Sequence, residues 1–238
     1  MKNLIPNTIT LSNLFLGCMA LVALFAEELH LVIWFVAAGG VADYADGAVA
    51  RMLDVRSDLG KELDSMADMV TFGIVPGAIF YFLLYRLNHT IEPLNLEWSA
   101  APSFLISVFS GLRLAKFNLD TRQTHDFLGL PTPACTILTV GLLLIYIYDP
   151  FGISLEIMNY TFLYTTILLL CILLVAEIPM FSLKIQSLSW KGNEIKIIFA
   201  AISIGLIIFK WYLAPFLIIV IYIFTNSILF LLNRNTRI

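Results

Sequence analysis

Charged residues are scarce in this chain. Only 13% of its 238 residues are Asp, Glu, Lys or Arg, whereas soluble domains carry about 25%. There are three cysteines and three histidines, and none stands at a spacing typical of metal ligands. Cys18, Cys135 and Cys171 all fall within apolar stretches, where buried packing is the expected role. These shortages argue against a soluble domain, a zinc site and a nucleic-acid partner.

Apolar residues are abundant instead. They make up 60% of the chain, the mean hydropathy is +0.90, and they occur in runs long enough to cross a bilayer as helices. The runs are too long and too continuous for barrel strands. We therefore predict an all-α, polytopic transmembrane helix bundle. The eight predicted spans are at about 9–26, 31–49, 66–86, 99–117, 133–149, 160–178, 195–209 and 211–232. The seventh is short, and a re-entrant or tilted segment is the alternative to a full crossing.

The basic residues predict the orientation. With eight spans, all of the 14 Lys and Arg residues except Arg86 and Lys210 fall on the side of the N-terminus. Basic loops stay in the cytoplasm, so both termini are expected there, in a cell (inner) membrane. The loops are too short to hold a soluble module, which predicts a single membrane domain over residues 1–238.

Acidic residues concentrate around the connection between the second and third spans. Asp43 and Asp46 are three residues apart, and Asp64 and Asp68 are four apart. Both spacings place side chains on one face of a helix. A hairpin between these spans would bring the four carboxylates together. The alternative is a solvated helix end with ordinary surface acids.

Four converging carboxylates need counter-charges at a membrane surface. Oxygen-only ligands suit hard divalent ions, so Mg²⁺ or Mn²⁺ is expected, and Ca²⁺ also fits. Two carboxylate-bridged ions are a known arrangement for phosphoryl transfer, because they clamp the attacking and leaving oxygens.

The same residues form a motif that resembles the signature of the CDP-alcohol phosphatidyltransferase family, and the match has no departure. The motif reads Asp43-x2-Asp46-Gly47-x2-Ala50-Arg51-x8-Gly60-x3-Asp64-x3-Asp68. The resemblance implies a six-helix catalytic core, here about residues 1–180, with additional C-terminal spans at about 190–232. It also implies a cytoplasmic site and a homodimer.

The resemblance further implies roles for single residues. Two metal ions would be held by Asp43, Asp46, Asp64 and Asp68. Asp68 would also be the base that deprotonates the acceptor hydroxyl. The CDP group would be contacted by Gly47, Ala50, Arg51 and Ser57. The Pro6-Asn7 segment before the first span resembles a further nucleotide contact of the family, which adds Asn7.

Three further segments resemble the bacterial and archaeal phosphatidylserine synthases within this family. These segments are Gly60–Ser65 with Val70–Gly73, Ser110–Asn118, and Phe127–Pro133. This resemblance implies CDP-diacylglycerol and L-serine as substrates among membrane lipids. Lys116 departs mildly, because Arg is more usual there. A serine carboxylate needs a cation, for which Arg113 is the first candidate and Lys61 the second. Asn118 and Glu62 could face the amine.

Two other functions stay open from sequence. One is the same chemistry with another acceptor, glycerol phosphate or an inositol phosphate, which would need further basic residues around the pocket. The other is cation transport through the acidic cluster. Transporters usually carry such charges near the midplane in repeated halves, whereas these acids lie at helix ends on one side and no repeat is evident.

Overall fold

A computed structural model of the chain describes residues 4–55, 57–89, 92–119, 127–181 and 193–235. Within these ranges the chain forms ten α-helices. They are α1 (Leu4–Phe25), α2 (Leu29–Met52), α3 (Asp58–Asp68), α4 (Val75–Asn88), α5 (Leu105–Leu119), α6 (Thr132–Tyr148), α7 (Ser154–Ile157), α8 (Tyr160–Val175), α9 (Glu194–Lys210) and α10 (Ala214–Asn235). Short 3-10 turns at Ala101–Phe104 and Pro150–Gly152 precede α5 and α7.

The predicted all-α membrane bundle is confirmed, and each of the eight predicted spans coincides with a helical segment. Four segments are long and apolar enough to cross a membrane: Leu4–Phe25, Leu29–Met52, Asp58–Asn88 and Ala214–Leu232. Two shorter apolar helices, α6 and α8, accompany them. The chain is therefore a multi-pass membrane protein. Several basic residues behind the predicted orientation lie outside the described residues, namely Lys2, Arg56, Arg122, Lys184, Lys191 and Arg237.

The third predicted span differs most from expectation, because its helix starts at Asp58 rather than near residue 66. α3 runs into a π-helical stretch, Met69–Ile74, which continues directly into α4. The Val75 N–H reaches back five residues to the Val70 carbonyl, the π-helical pattern. Asp64 and Asp68 therefore belong to one long helix that is anchored in the bundle.

Hydroxyl side chains from neighbouring helices hold this π-helix. Ser107 donates to the Gly73 carbonyl at 2.8 Å, and Thr136 donates to the Phe72 carbonyl at 3.2 Å. On the other side, Thr71 donates to the Asn13 side-chain oxygen at 2.9 Å. Polar bonds of this kind stabilise irregular backbone inside a membrane protein, so α1, α5 and α6 all fix the segment that follows Asp68.

α4 is the centre of the bundle. It is buried on every side from Val75 to Phe80 and again from Phe82 to Arg86, which is typical of a helix that is apolar all round. It packs against α1, α5, α6 and α8. The core therefore lies around the continuation of the helix that carries Asp64 and Asp68.

The C-terminal helices dock on the rest of the bundle through α10. Two two-residue strands, β1 (Phe127–Leu128) and β2 (Pro179–Met180), pair antiparallel and add a small sheet to the all-α bundle. Just after β2, the Phe181 N–H donates to Asn226 of α10 at 2.8 Å, and the Tyr222 hydroxyl donates to the Phe181 carbonyl at 3.0 Å.

Candidate active site

Three of the four predicted aspartates converge where α2 ends and α3 runs into the π-helix. Asp43, Asp64 and Asp68 each offer one carboxylate oxygen, and these three oxygens lie within 4.8 Å of one another. All three side chains are partly buried. The i,i+4 spacing on α3 and the packing of α1 between α2 and α3 create this convergence.

Asp46 stands beside this group and has its own partner. Its side chain is 6% exposed, and its Oδ2 accepts a hydrogen bond of 2.5 Å from the Thr10 hydroxyl of α1. One turn along α2 from Asp43, it faces a neighbouring cleft. The four predicted metal ligands are thus arranged as a group of three and a fourth carboxylate fixed by another helix.

The cleft has a volume of about 560 Å³. It lies between the first turns of α1, the end of α2 and the start of α3. Its lining consists of Pro6, Asn7, Thr10, Asp46, Gly47, Ala50, Val55, Ser57, Asp58, Gly60, Lys61 and Asp64. Asp46 and Asp64 form the boundary between the cleft and the carboxylate group. The predicted nucleotide contacts Asn7, Gly47, Ala50 and Ser57 all lie on its wall.

The N-terminus of α3 forms one side of the cleft. Ser57 caps the helix, because its Oγ accepts a 3.0 Å hydrogen bond from the Gly60 N–H. A Cβ at Gly60 would stand 3.0 Å from Ser57 Oγ and 3.2 Å from Asn7 Oδ1. Glycine thus lets the backbone come close to both side chains. Helix N-termini attract anions through their free N–H groups and dipole.

Arg51 differs from the other predicted nucleotide contacts. Its side chain is exposed and it is not part of the cleft lining. A Cβ at Gly47 would stand 3.3 Å from Arg51 Nη1, so the guanidinium lies along the Gly47 backbone, at the outer edge of the cleft.

The predicted acceptor residues Lys61 and Asn118 connect α3 to α5. Lys61 Nζ donates to the Asn118 carbonyl at 3.2 Å, and Asn118 Nδ2 donates to Ser65 Oγ at 2.8 Å. Lys61 also lines the cleft. The pair therefore holds the end of α5 against the helix that carries Asp64.

Arg113 lies deeper, on α5. It is 7% exposed, its guanidinium interacts electrostatically with Asp68, and the Phe117 ring lies 6.0 Å from its Cζ. Among the described residues, no group accepts a hydrogen bond from its Nε. A buried cation of this kind next to the carboxylate group is suited to receive an anionic ligand.

The carboxylate group fits a divalent cation. Asp68 Oδ1 is buried and has no hydrogen-bond partner among the described residues. Three carboxylates at this separation repel one another, and oxygen ligands in this number suit Mg²⁺, Mn²⁺ or Ca²⁺. A buried carboxylate oxygen without a hydrogen-bond partner calls for an explanation, and a bound ion is one that these ligands fit.

Sequence reasoning missed Thr10 and Gly60 as parts of the cleft wall, although Gly60 was recognised as a motif position. Thr10 lies within the first predicted span, where a threonine commonly bonds to a carbonyl four residues back. It does so with Pro6, at 3.0 Å, but it also reaches Asp46. The sequence contains no local signal for this second bond. Asn7 and Pro6, expected before the first span, belong to the first turn of α1.

The fold and these residues define a multi-pass membrane protein with a carboxylate site at one end of its helices. A family model described as CDP-alcohol phosphatidyltransferase matches residues 3–177. The chain belongs to this family of membrane enzymes.

Several relatives carry the name CDP-diacylglycerol–serine O-phosphatidyltransferase. One from Helicobacter pylori (strain J99) is 35% identical over 139 residues, which cover 58% of this chain and 56% of the relative. One from Bacillus subtilis is 35% identical over 149 residues, which cover 62% of this chain and 78% of the relative. One from Mycobacterium leprae is 28% identical over 236 residues, which cover 93% of this chain and 71% of the relative. The chain thus spans little more than half the length of the Helicobacter relative.

Proposed function

We propose that this protein transfers the phosphatidyl group of CDP-diacylglycerol to L-serine, giving phosphatidylserine and CMP. The observation that carries the proposal is the convergence of Asp43, Asp64 and Asp68 at the edge of a cleft lined by the motif residues. The names of the relatives support serine as the acceptor.

Asp43, Asp46, Asp64 and Asp68 would hold two divalent ions, Mg²⁺ or Mn²⁺, with Ca²⁺ also compatible with the ligands. When bound, such ions neutralise the pyrophosphate and stabilise the charge that develops as CMP leaves. The chain's own contribution is to present these carboxylates from a rigid pair of helices, which fixes their positions before the substrate arrives.

Asp68 would act as the base. The serine hydroxyl oxygen forms a bond to the phosphorus that carries diacylglycerol, and the bond from that phosphorus to the bridging oxygen breaks. The electron pair leaves with CMP, and the hydroxyl proton passes to the Asp68 carboxylate. A positioned base of this kind contributes about 10²–10⁴-fold to a rate.

The cleft between α1, α2 and α3 would bind the CDP group. Its wall offers Asn7, Ser57 and the small residues Gly47 and Ala50. The N-terminus of α3 and Lys61 supply positive potential for phosphate oxygens. Arg51 at the outer edge would close over the nucleotide.

The buried Arg113 would pair with the serine carboxylate and so place the hydroxyl near Asp68. The buried Arg113 Nε has no hydrogen-bond acceptor among the described residues, and an incoming carboxylate would accept a charge-assisted hydrogen bond from it. Lys61 and Asn118 would form the neighbouring wall, with Asn118 towards the amine.

We also propose where the protein lies in the cell, how it assembles and how far its catalytic core extends. The distribution of Lys and Arg supports a cell (inner) membrane location with the site facing the cytoplasm, and the family resemblance supports a homodimer. The end of the family match at residue 177 supports a catalytic core over about residues 1–180, followed by additional spans at about 190–232.

The test is a CMP-release assay. Purified full-length protein in detergent or lipid receives CDP-diacylglycerol, Mn²⁺ or Mg²⁺, and one alcohol at a time. CMP release that depends on serine, with phosphatidylserine as the lipid product, supports the proposal. If CMP is released only with glycerol phosphate or an inositol phosphate, that alcohol is the acceptor and serine is not. No release with any alcohol would overturn the proposal and leave cation transport as the alternative.

A further inference from the structure

The aspartate that stands apart from the carboxylate group is held by a residue on another helix. Thr10 of α1 and Asp46 of α2 are both buried, at 4% and 6% exposure, and the Thr10 hydroxyl donates to Asp46 Oδ2. This bond crosses from α1 to α2 at the point where the cleft meets the carboxylate group.

We propose that Thr10 is a positioning residue that orients the Asp46 carboxylate for a cation at the nucleotide side of the site. The inference rests on the proposed function in taking Asp46 as a metal ligand. Asp46 lines the cleft, whereas the oxygens of Asp43, Asp64 and Asp68 form the compact group. Without a fixed partner, Asp46 could rotate about its side-chain bonds, and Thr10 removes that freedom.

The surroundings of Thr10 support this role. Its hydroxyl has a second acceptor, the Pro6 carbonyl at 3.0 Å. A hydroxyl has one proton, so the two acceptors share it. Pro6 and Asn7 also line the cleft. The hydroxyl therefore links the first turn of α1 with Asp46, and both ends of the link face the space assigned to the nucleotide.

Residues that orient metal ligands through hydrogen bonds typically change metal affinity by about 10–100-fold when they are removed. Thr10→Val keeps the shape of the side chain and removes the hydroxyl, whereas Thr10→Ser keeps the hydroxyl. The matched control is Thr8→Val, because Thr8 lies on the exposed side of the same helix, where its hydroxyl bonds to the Leu4 carbonyl at 2.8 Å.

The first measurement is Mn²⁺ binding to the purified full-length protein without substrates. Binding is monitored through the electron paramagnetic resonance signal of free Mn²⁺. We expect Thr10→Val to weaken binding by about tenfold or more for the affected ion. Thr10→Ser and Thr8→Val should stay within about threefold of wild type. In EDTA, Thr10→Val should unfold at a somewhat lower temperature, because the lost hydroxyl bonds to a buried carboxylate, and the other three proteins should unfold alike.

The second measurement is kinetic. Thr10→Val should raise the Mn²⁺ concentration that gives half-maximal CMP release, and it should raise the KM for CDP-diacylglycerol. The KM for serine should stay unchanged, since Asp46 faces the nucleotide side. In an Asp46→Asn background, Thr10→Val should cause no additional loss of Mn²⁺ affinity, because residues that act through one another are not additive. If Thr10→Val does not accumulate in membranes, Thr10→Ala serves in the same comparisons.

Several results would overturn the inference: equal Mn²⁺ binding by Thr10→Val and wild type, weak binding by Thr10→Ser, or full additivity with Asp46→Asn. The substrate-free binding measurement separates this inference from the proposed function. Wild type that lacks serine-dependent CMP release would refute the activity, while a hydroxyl-dependent Mn²⁺ affinity would still support the role of Thr10.

Discussion

Asp43, on α2, and Asp68, at the junction of α3 with the π-helix, place carboxylate oxygens within 4.8 Å of each other. Their helices are joined by a short connection, and α1 packs against both. Two like charges at this distance need a cation or a proton between them. The fold therefore keeps a costly arrangement in place, as expected for a site that pre-organises metal ligands.

Asp68→Asn tests the role of this junction. The amide cannot accept the acceptor's proton, so serine-dependent CMP release should fall by about 10²–10⁴-fold while the protein still accumulates in membranes. The control is Asp54→Asn, because Asp54 is exposed and its positive φ of 50° is one that asparagine tolerates. Near-normal activity of Asp68→Asn would remove Asp68 as the base.

Removal of metal should have two effects. EDTA should abolish CMP release, and excess Mn²⁺ or Mg²⁺ should restore it. The ion should also raise the unfolding temperature, because a ligand that binds only the folded state stabilises it. An Asp43→Asn/Asp64→Asn double variant should lose most of this metal-dependent rise. Activity that persists in EDTA would contradict a metal-dependent site.

Gly60→Ala tests the close approach between α3 and α1. The added methyl group would press on Ser57 Oγ and Asn7 Oδ1, so the KM for CDP-diacylglycerol should rise several-fold. Gly205→Ala is the matched control, since a Cβ at Gly205 meets nothing within 4 Å. This control should leave kinetics unchanged and stabilise α9 by about 0.5–1 kcal/mol. Equal KM values for the two variants would contradict the assignment of this cleft to the nucleotide.

An ion pair between a buried arginine and an exposed glutamate, at the opposite end of the bundle, should affect stability without affecting the site. Arg86 pairs with Glu27 and donates to the carbonyls of His89 and Glu92 at 2.8 and 2.9 Å. Arg86→Leu should lower the free energy of unfolding by about 1.5–3 kcal/mol, the contribution of hydrogen bonds to a charged group. Glu27→Gln should lower the free energy of unfolding by less, because Arg86 keeps its hydrogen bonds to the two carbonyls.

Activity per folded molecule should be unchanged in both variants, measured as CMP release normalised to the monodisperse fraction. A selective loss of kcat in Arg86→Leu, with unfolding temperature unchanged, would show that this end of the bundle communicates with the aspartates.

Much of this arrangement follows from local sequence patterns. Apolar runs longer than a bilayer predict the helices, and the spacing of Asp64 and Asp68 predicts their common face. The motif also predicts that Gly47 and Ala50 lie on a cleft wall. These features depend on helical periodicity within one segment, which a sequence expresses directly.

Contacts between distant segments were not predictable in the same way. The bond from Thr10 to Asp46 depends on how α1 rotates against α2, and no pattern within either helix encodes it. Likewise, the hydrogen bond from the Asn118 amide to Ser65 depends on how α5 packs on α3, and neither segment alone encodes it. The early start of α3 was missed because Asp58–Leu63 is polar and adds no hydropathy signal.

The π-helical stretch between Asp68 and α4 has a consequence for chain length. A π-helical turn holds an extra residue compared with an α-helical one. Deleting one residue from Met69–Ile74 would let this stretch rewind as ordinary α-helix with nearly the same overall rotation, because its six π-helical residues turn the chain about as far as five α-helical ones. Asp64 and Asp68 would keep their direction relative to α4, while the Phe72 and Gly73 carbonyls would lose the geometry in which Thr136 and Ser107 bond to them. Deleting a residue from the α-helical start of α4 would instead turn both aspartates by about 100° away from Asp43.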